Sequence, residues 1–307
     1  MNDLTEIAVG IPTLNTAEDW HTFSDPLKRQ GIPTSHVLVI DSSSNDATRE
    51  LAEADGYRVT VIDRKLFSHG GSRQTLANQA EWANIIVFLT QDALLASDNA
   101  IRSLIKAFDD PTVVAAYGRQ LPRPSANPIE AHARLFNYPA LSATRDLTSR
   151  ERIGFKAAFL SNSFAAYRRD ALLAAGGFRE DTIFGEDTIM AGSLLLAGYK
   201  IAYVADACVY HSHSYSWTQE FRRSFDIGVM HKRESWMLKE FGRPTGEGRR
   251  FVLSELKYVA KNNFLLLPSA VIRTGMKVLG YKLGMQEDRL GTAFKRRLSL
   301  NPTFWSR

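Results

Sequence analysis

The sequence predicts an α/β fold: a mostly parallel, Rossmann-like sheet covered by helices, followed by a helical extension. Three observations carry this. Apolar runs such as Val37-Leu38-Val39-Ile40 and Ile85-Ile86-Val87-Phe88-Leu89 do not alternate, so they read as strands buried on both faces of a sheet. They recur between helical segments that open on capping residues and stop at glycine, which is a βαβ rhythm. From Thr218 the pattern is helical to the end, so a boundary near Ser216 divides a sheet domain (1–216) from a basic helical region (217–307).

In chain order, Ile7 to Ile11 is the first strand and ends at Pro12-Thr13-Leu14-Asn15, before a helix that leads to Gly31. The strand over 37–40 ends in Asp41. The turn Ser42-Ser43-Ser44-Asn45-Asp46 then offers caps for a helix over 47–54 that Gly56 stops. A third strand covers 57–62, and Phe67-Ser68-His69-Gly70-Gly71-Ser72-Arg73-Gln74 opens the next helix. The fourth strand runs into Thr90-Gln91-Asp92, followed by a helix over 97–108 and a fifth strand over 113–117. Pro122, Pro124, Pro128 and Pro139 mark 119–152 as an excursion. A strand over 159–167 and a helix over 169–175 precede Phe184-Gly185-Glu186-Asp187, which starts an apolar helix. Ile201 to Val204 and Cys208 to Tyr210 read as two short strands, the second delivering His211-Ser212-His213.

A chain of 307 residues with 44% hydrophobic and 23% charged residues is globular and not disordered. Its single cysteine, Cys208, excludes an internal disulfide and suits a reducing compartment. Met1 to Glu6 lacks a basic leader and an apolar core, so no secretory signal is expected. The stretch 264–272 is too short to span a bilayer. The net charge is +5, and basic residues thicken after Phe221. Lys295, Arg296 and Arg297 beside Phe304 and Trp305 fit either peripheral contact with an anionic membrane or a helical subdomain packed on the sheet with a solvated basic face.

Asp41, Asp92 and the pair Glu186-Asp187 fall at one edge of the predicted sheet, where open α/β sheets bind ligands. Their repulsion calls for a cation or a proton. A divalent ion, Mg²⁺ or Mn²⁺, carried by a diphosphate is the natural offset. His211 can add an imidazole nitrogen, which Mn²⁺ tolerates better than Mg²⁺. The plainer alternatives are that Asp92 caps a turn or helix and that His211 and His213 are incidental to a hairpin. Gly70-Gly71-Ser72-Arg73 can bring backbone amides at a helix start to a phosphate. The three-glycine dinucleotide fingerprint, the lysine-bearing phosphate loop and the Gly-x-Ser-x-Gly elbow are all missing, against a dehydrogenase, an ATPase and a serine hydrolase.

Taken together, Pro12-Thr13-Leu14-Asn15, Val39 to Asp46, Thr90-Gln91-Asp92 and Phe184-Gly185-Glu186-Asp187 resemble the ordered motifs of family 2 inverting glycosyltransferases of the GT-A fold, over about residues 7–215. Phe67 to Arg73, Phe88 to Ala93 and Arg297-Leu298-Ser299-Leu300-Asn301-Pro302 are similar to the bacterial rhamnosyltransferases that build O-antigen and related polysaccharides. The resemblance implies transfer of L-rhamnose from dTDP-β-L-rhamnose to a hydroxyl of a lipid-linked glycan, on the cytoplasmic face of the inner membrane. It implies Asp41 at the nucleobase, Asp92 on the metal and Asp187 at the acceptor hydroxyl as the base; the residues themselves add His211 as a further metal ligand and the adjacent Glu186 as the alternative base. Pro12, Thr13, Asn15, Gly71, Arg73 and Gln91 would line the donor nucleotide, with Arg73 near the leaving diphosphate. Gln91 departs from the family pattern, standing where most relatives have the first Asp of an Asp-x-Asp motif. Transfer of another sugar from a UDP or GDP donor, or a non-catalytic nucleotide-sugar-binding subunit of a glycan assembly complex, are the alternatives. No nucleic-acid partner is expected, and a homo-oligomer is left open.

Overall fold

The structure is a computed structural model and describes residues 4–242 and 246–306. Its first half alternates β1 (Ile7–Thr13), α1 (Trp20–Lys28), β2 (Val37–Asp41), α2 (Thr48–Ala54), β3 (Arg58–Val61), α3 (His69–Gln79) and β4 (Ile85–Leu89). Next come β5 (Leu94–Leu95), α4 (Ala100–Ile105), β6 (Val113–Leu121), α5 (Pro128–Asn137), β7 (Ala143–Arg145), α6 (Ser149–Ile153), β8 (Phe164–Arg168), α7 (Arg169–Ala174), α8 (Glu186–Leu196) and β9 (Lys200–Tyr210). Among the described residues that follow are five α-helices, α9 (Trp217–Arg233), α10 (Ser235–Phe241), α11 (Glu247–Asn263), α12 (Leu267–Gly284) and α13 (Thr292–Leu298), with short 3-10 turns after α11, α12 and α13.

The strands form one sheet in the order β3-β2-β1-β4-β8-β6-β9-β5, with β7 beside β9. The half from β3 to β4 is parallel, in line with the βαβ rhythm. β8 departs from it by running antiparallel to both β4 and β6, and the short strands β5 and β7 also run antiparallel to β9. The excursion through α5, β7 and α6 returns the chain to the carboxyl edge of β4, so Phe164 at the start of β8 pairs with Leu89 at the end of β4. Because Gly154–Ala158 forms a 3-10 turn, β8 begins at Phe164 and not at the expected 159, which leaves 161–163 as a turn at that edge. The two short strands expected over 201–210 are one strand, β9, which shifts register against β6 between Gly118 and Arg119.

Successive side chains of β4 point to opposite faces, and both faces are covered. Ile86 and Phe88 join Leu76, Tyr167 and Phe178 on one side, while Ile85, Val87 and Leu89 join Phe23, Leu104 and Phe108 on the other. Burial of each such large side chain stabilises the fold by roughly 1.5–3 kcal/mol. Uniform apolarity is what a strand with two dry faces requires.

In the C-terminal region α9 and α12 cross closely. A Cβ at Gly280 would lie 2.2 Å from Phe221 O and one at Gly284 2.1 Å from Phe225 O, so only glycine admits this approach. The terminal aromatics expected at a membrane turn inward instead. Trp305 is buried among Ile183, Phe225, Val229 and Met230, where Arg233 and Lys295 lie over its ring at 5.2 and 5.0 Å. Lys295 pairs with Glu287, whereas Arg296 and Arg297 remain exposed. The cause is apolar area: Trp305 can complete a core that α8 and α9 leave open.

Candidate active site

Asp92 follows β4, and β9 delivers two histidines to it. His211 Nε2 stands 3.2 Å and His213 Nδ1 3.7 Å from Asp92 Oδ2. Positions 211 and 213 are two apart, so an extended chain aims both rings at the same side. Their three ligand atoms lie within 4.8 Å of one another. Burial works against the charge of Asp92, but the hydrogen bond from His211 and the nearby imidazoles outweigh it and hold the carboxyl well below the usual carboxylate range. Burial, with His211 beside it, pushes His213 down to about 3, which keeps that imidazole neutral as a metal ligand must be.

The rest of the arrangement fixes His211. Gln120 Oε1 accepts from Arg134 Nη1 at 2.6 Å and lies 2.9 Å from His211 Nδ1, while Gln120 Nε2 donates to Ser161 Oγ at 2.9 Å. An oxygen that only accepts requires the proton on Nδ1. With Nδ1 turned to Gln120, Nε2 is the ring nitrogen that faces Asp92 and would be the one to hold an ion. Donors at right angles on an octahedral ion with bonds of about 2.1 Å stand about 3 Å apart, close to the His211–Asp92 separation. One carboxylate and two imidazoles suit Mn²⁺ better than Mg²⁺. The residues present fit a divalent ion.

Glu186 and Asp187 open α8 immediately after Gly185 and part company there. Glu186 is buried in an ion pair with Arg73, Oε1 to Nη1 3.1 Å, and also accepts from Asn162 Nδ2. Burial opposes its charge, but Arg73 and then His69 lower its pKa. Asp187 Oδ2 accepts from Asn162 N at 3.0 Å and Oδ1 from Thr188 N at 2.7 Å. Burial, and next the Glu186 charge, push its carboxyl up to about 7. A helix start is expected to favour ionised acids, and this holds for Glu186 only. Two neighbouring acids whose environments drive them apart divide into a fixed charge and a proton carrier.

The turn Ser161–Ser163 joins the two halves of the site. Ser161 binds Gln120, Asn162 binds Glu186 and Asp187, and Ser163 O accepts from Thr90 N, two residues before Asp92. A short, strongly polar segment inside a strand expected over 159–167 was the one sequence signal for it.

At the ends of β1 and β2, Thr13 pairs with Asp41 in parallel register and donates to Asp41 Oδ2 at 3.3 Å. Asp41 is buried, its Oδ1 accepting from Ser44 N at 2.8 Å. Asn15, left-handed at φ 47°, accepts from Asn45 N, so the loop after Pro12 is stitched to the loop after Asp41. Gln91 binds this loop from the other side, accepting from Leu14 N at 2.7 Å and donating to Leu14 O at 3.0 Å.

Two expected donor contacts are corrected. Arg73 faces Glu186 inside the protein instead of a diphosphate, because α3 buries the side of the helix that carries it. The start of α3 is also covered: a Cβ at Gly70 would lie 1.9 Å from Arg179 O, and Gly71 N donates to Ser68 Oγ, its α-carbon facing Glu180. The glycines admit the chain's own 179–180 segment. Sequence reasoning also missed that His213 joins Asp92 and His211, that Gln120 and Arg134 support His211, and that Asn162 supports Glu186 and Asp187.

Residues 6–225 match the family described as glycosyltransferase-like family 2. The chain is 43% identical over 302 residues to the O-antigen chain rhamnosyltransferase RfbN of Salmonella typhimurium, covering 98% of this chain and 96% of that one. It is 42% identical over 297 residues to the O-antigen chain rhamnosyltransferase WbaN of Salmonella anatum, covering 96% and 94%. Among solved structures it resembles the mannosyltransferase PcManGT of Pyrobaculum calidifontis in complex with GDP-Man and Mn²⁺, with TM-score 0.58 and 19% identity over 95% of this chain and 84% of that one. It also resembles S. aureus TarS 1–349 in complex with UDP-GlcNAc, with TM-score 0.57 and 14% identity over 92% and 91%. The chain belongs to glycosyltransferase family 2 and is a glycosyltransferase of the GT-A fold.

Proposed function

We propose that the protein transfers L-rhamnose from dTDP-β-L-rhamnose to a hydroxyl of a growing, lipid-linked O-antigen-type glycan, with inversion to an α-L-rhamnoside. The observation that carries this reading is similarity over nearly the whole chain, helical extension included, to relatives named O-antigen chain rhamnosyltransferases. The separation of the two acids opening α8 supports the same reading, since an inverting transfer needs one base on the acceptor side.

In this reaction the acceptor oxygen attacks the anomeric carbon opposite the diphosphate. A carbon–oxygen bond forms as the bond to the diphosphate oxygen breaks, and the hydroxyl proton passes to Asp187. The amides of Asn162 and Thr188, with the Thr188 hydroxyl at 3.4 Å from Oδ1, hold Asp187 in place, while Oδ2 accepts only from Asn162 N and keeps a lone pair for the acceptor proton. Glu186, neutralised by Arg73, stays ionised and raises the proton affinity of its neighbour. Asp92, His211 and His213 would hold the divalent ion, which supplies charge neutralisation at the leaving diphosphate when bound. Asp41 would accept from the imide N–H that thymine and uracil share, with Pro12, Thr13 and Asn15 shaping the loop around the base and Gln91 securing it.

A screen of dTDP-, UDP- and GDP-sugars for binding and hydrolysis, with Mn²⁺ and Mg²⁺ compared, tests the donor. Turnover of dTDP-rhamnose with Mn²⁺ is expected, abolished more completely by Asp92→Asn, which removes the metal carboxylate, than by Gln91→Ala, which loosens the Leu14 loop. Preference for a UDP or GDP donor would overturn the rhamnosyl reading, and full activity of Asp92→Asn would overturn the metal site.

A further inference from the structure

The α11–α12 hairpin shows an inverted polarity. The crossing with α9 at Gly280 and Gly284 uses the side of α12 that packs inward. On the opposite side Val271, Ile272, Val278 and Leu279 recur at helical spacing and face solvent, and Phe264 and Leu265 continue the stripe at the tip of the hairpin. These six are between 40% and 72% exposed. A contiguous apolar face of this kind marks an interaction surface.

Charge identifies the occupant. Residues 256–286 contain five Lys or Arg and no Asp or Glu. Arg273 and Lys277 turn to Glu220 of α9, which leaves Lys257, Lys261 and Lys282 exposed around the stripe. A second copy of the chain, docked through the same face about a two-fold axis, would set this acid-free surface against itself and bring lysines together. An anionic lipid surface satisfies both features at once, taking the apolar stripe at the acyl boundary and the lysines at the phosphates. Among the described residues no helix is long and apolar enough to cross a membrane, so the contact is peripheral. The hairpin is also bonded to the active site: Trp217 Nε1 donates to Ser269 Oγ at 3.0 Å and Arg273 Nη1 donates to Tyr215 O, just beyond His213.

We propose that the α11–α12 hairpin docks the enzyme on an anionic bilayer and so sets the metal-site loop beside the lipid surface. This deepens the reading above and rests on it only in that the acceptor is lipid-linked. The test is flotation of the full chain, without nucleotide, on vesicles containing phosphatidylglycerol or on phosphatidylcholine alone. Binding is expected to phosphatidylglycerol only and to weaken with rising salt. Each of Lys257→Gln, Lys261→Gln and Lys282→Gln should weaken it about fivefold, the equivalent of about 1 kcal/mol. The variant with Val271, Ile272, Val278 and Leu279 all replaced by Ser should lose it, with its circular dichroism and dTDP binding unchanged. Equal binding to phosphatidylcholine, or undiminished flotation of that variant, would overturn the proposal. So would a concentration-dependent dimer that the four serines abolish, because the face would then be a self-interface. Vesicle binding is read without turnover, so failure of the donor reading would leave this result standing, and the reverse also holds.

Discussion

Asp187→Asn separates the chemistry of the site from its stability. The amide can still accept from Asn162 N, so the turn at 161–163 should hold, but it cannot take a proton from a hydroxyl. Loss of a general base costs about 10²–10⁴-fold in turnover. Donor affinity should be nearly unchanged, since the interaction matters chiefly in the transition state. In the wild type, kcat/KM should climb with pH to a plateau with a midpoint near 7, because burial and Glu186 raise the carboxyl to about 7 and only the ionised form is a base. Stability should move the opposite way. Between the ordinary value of 3.8 and about 7 the folded chain holds a proton that the unfolded chain has released, so wild type loses stability relative to the Asn variant as pH rises through this window. At about 1.4 kcal/mol per unit the loss reaches at most about 4 kcal/mol. Urea unfolding at several pH values and single-turnover transfer read the two effects. A wild-type transfer rate in Asp187→Asn would refute the assignment of the base, and a pH-independent stability difference would refute the account of its environment.

Two further outcomes are expected. Gln120→Ala should weaken Mn²⁺ binding about 10–100-fold by titration calorimetry, as loss of the partner that orients a ligating histidine does, and unchanged Mn²⁺ affinity would remove Gln120 from the site. Asp41→Ala should weaken dTDP binding by about 1.5–3 kcal/mol for a charged hydrogen bond, and an unchanged affinity would leave Asp41 a purely structural support of the Ser44 turn.

The parallel half of the sheet was legible because its strands are dry on both faces and each is followed by its own helix. Asp41, Asp92 and His211 were legible for the same reason, as polar residues that interrupt apolar runs at the carboxyl edge. β8 was not, since pairing direction depends on where the excursion between β6 and β8 returns, and nothing local in Phe164 to Arg168 records it. Arg73 was misplaced because a glycine-rich helix start looks alike whether it admits a phosphate or, as Gly70 does, a second stretch of backbone. Gln120 and Asn162 act on residues 91 and 25 positions away, a distance that no sequence window spans.

Gln91 bears on how this site can change. Its amide fills both hydrogen-bonding groups of Leu14, one as acceptor and one as donor. A carboxylate there could still accept from Leu14 N, but it has no proton to give Leu14 O and would bring charge against that carbonyl. Writing the first acid of an Asp-x-Asp pattern into this chain would therefore loosen the Leu14 loop before any gain at the metal. A designer seeking to introduce that acid would have to rebuild the Leu14 loop in the same step.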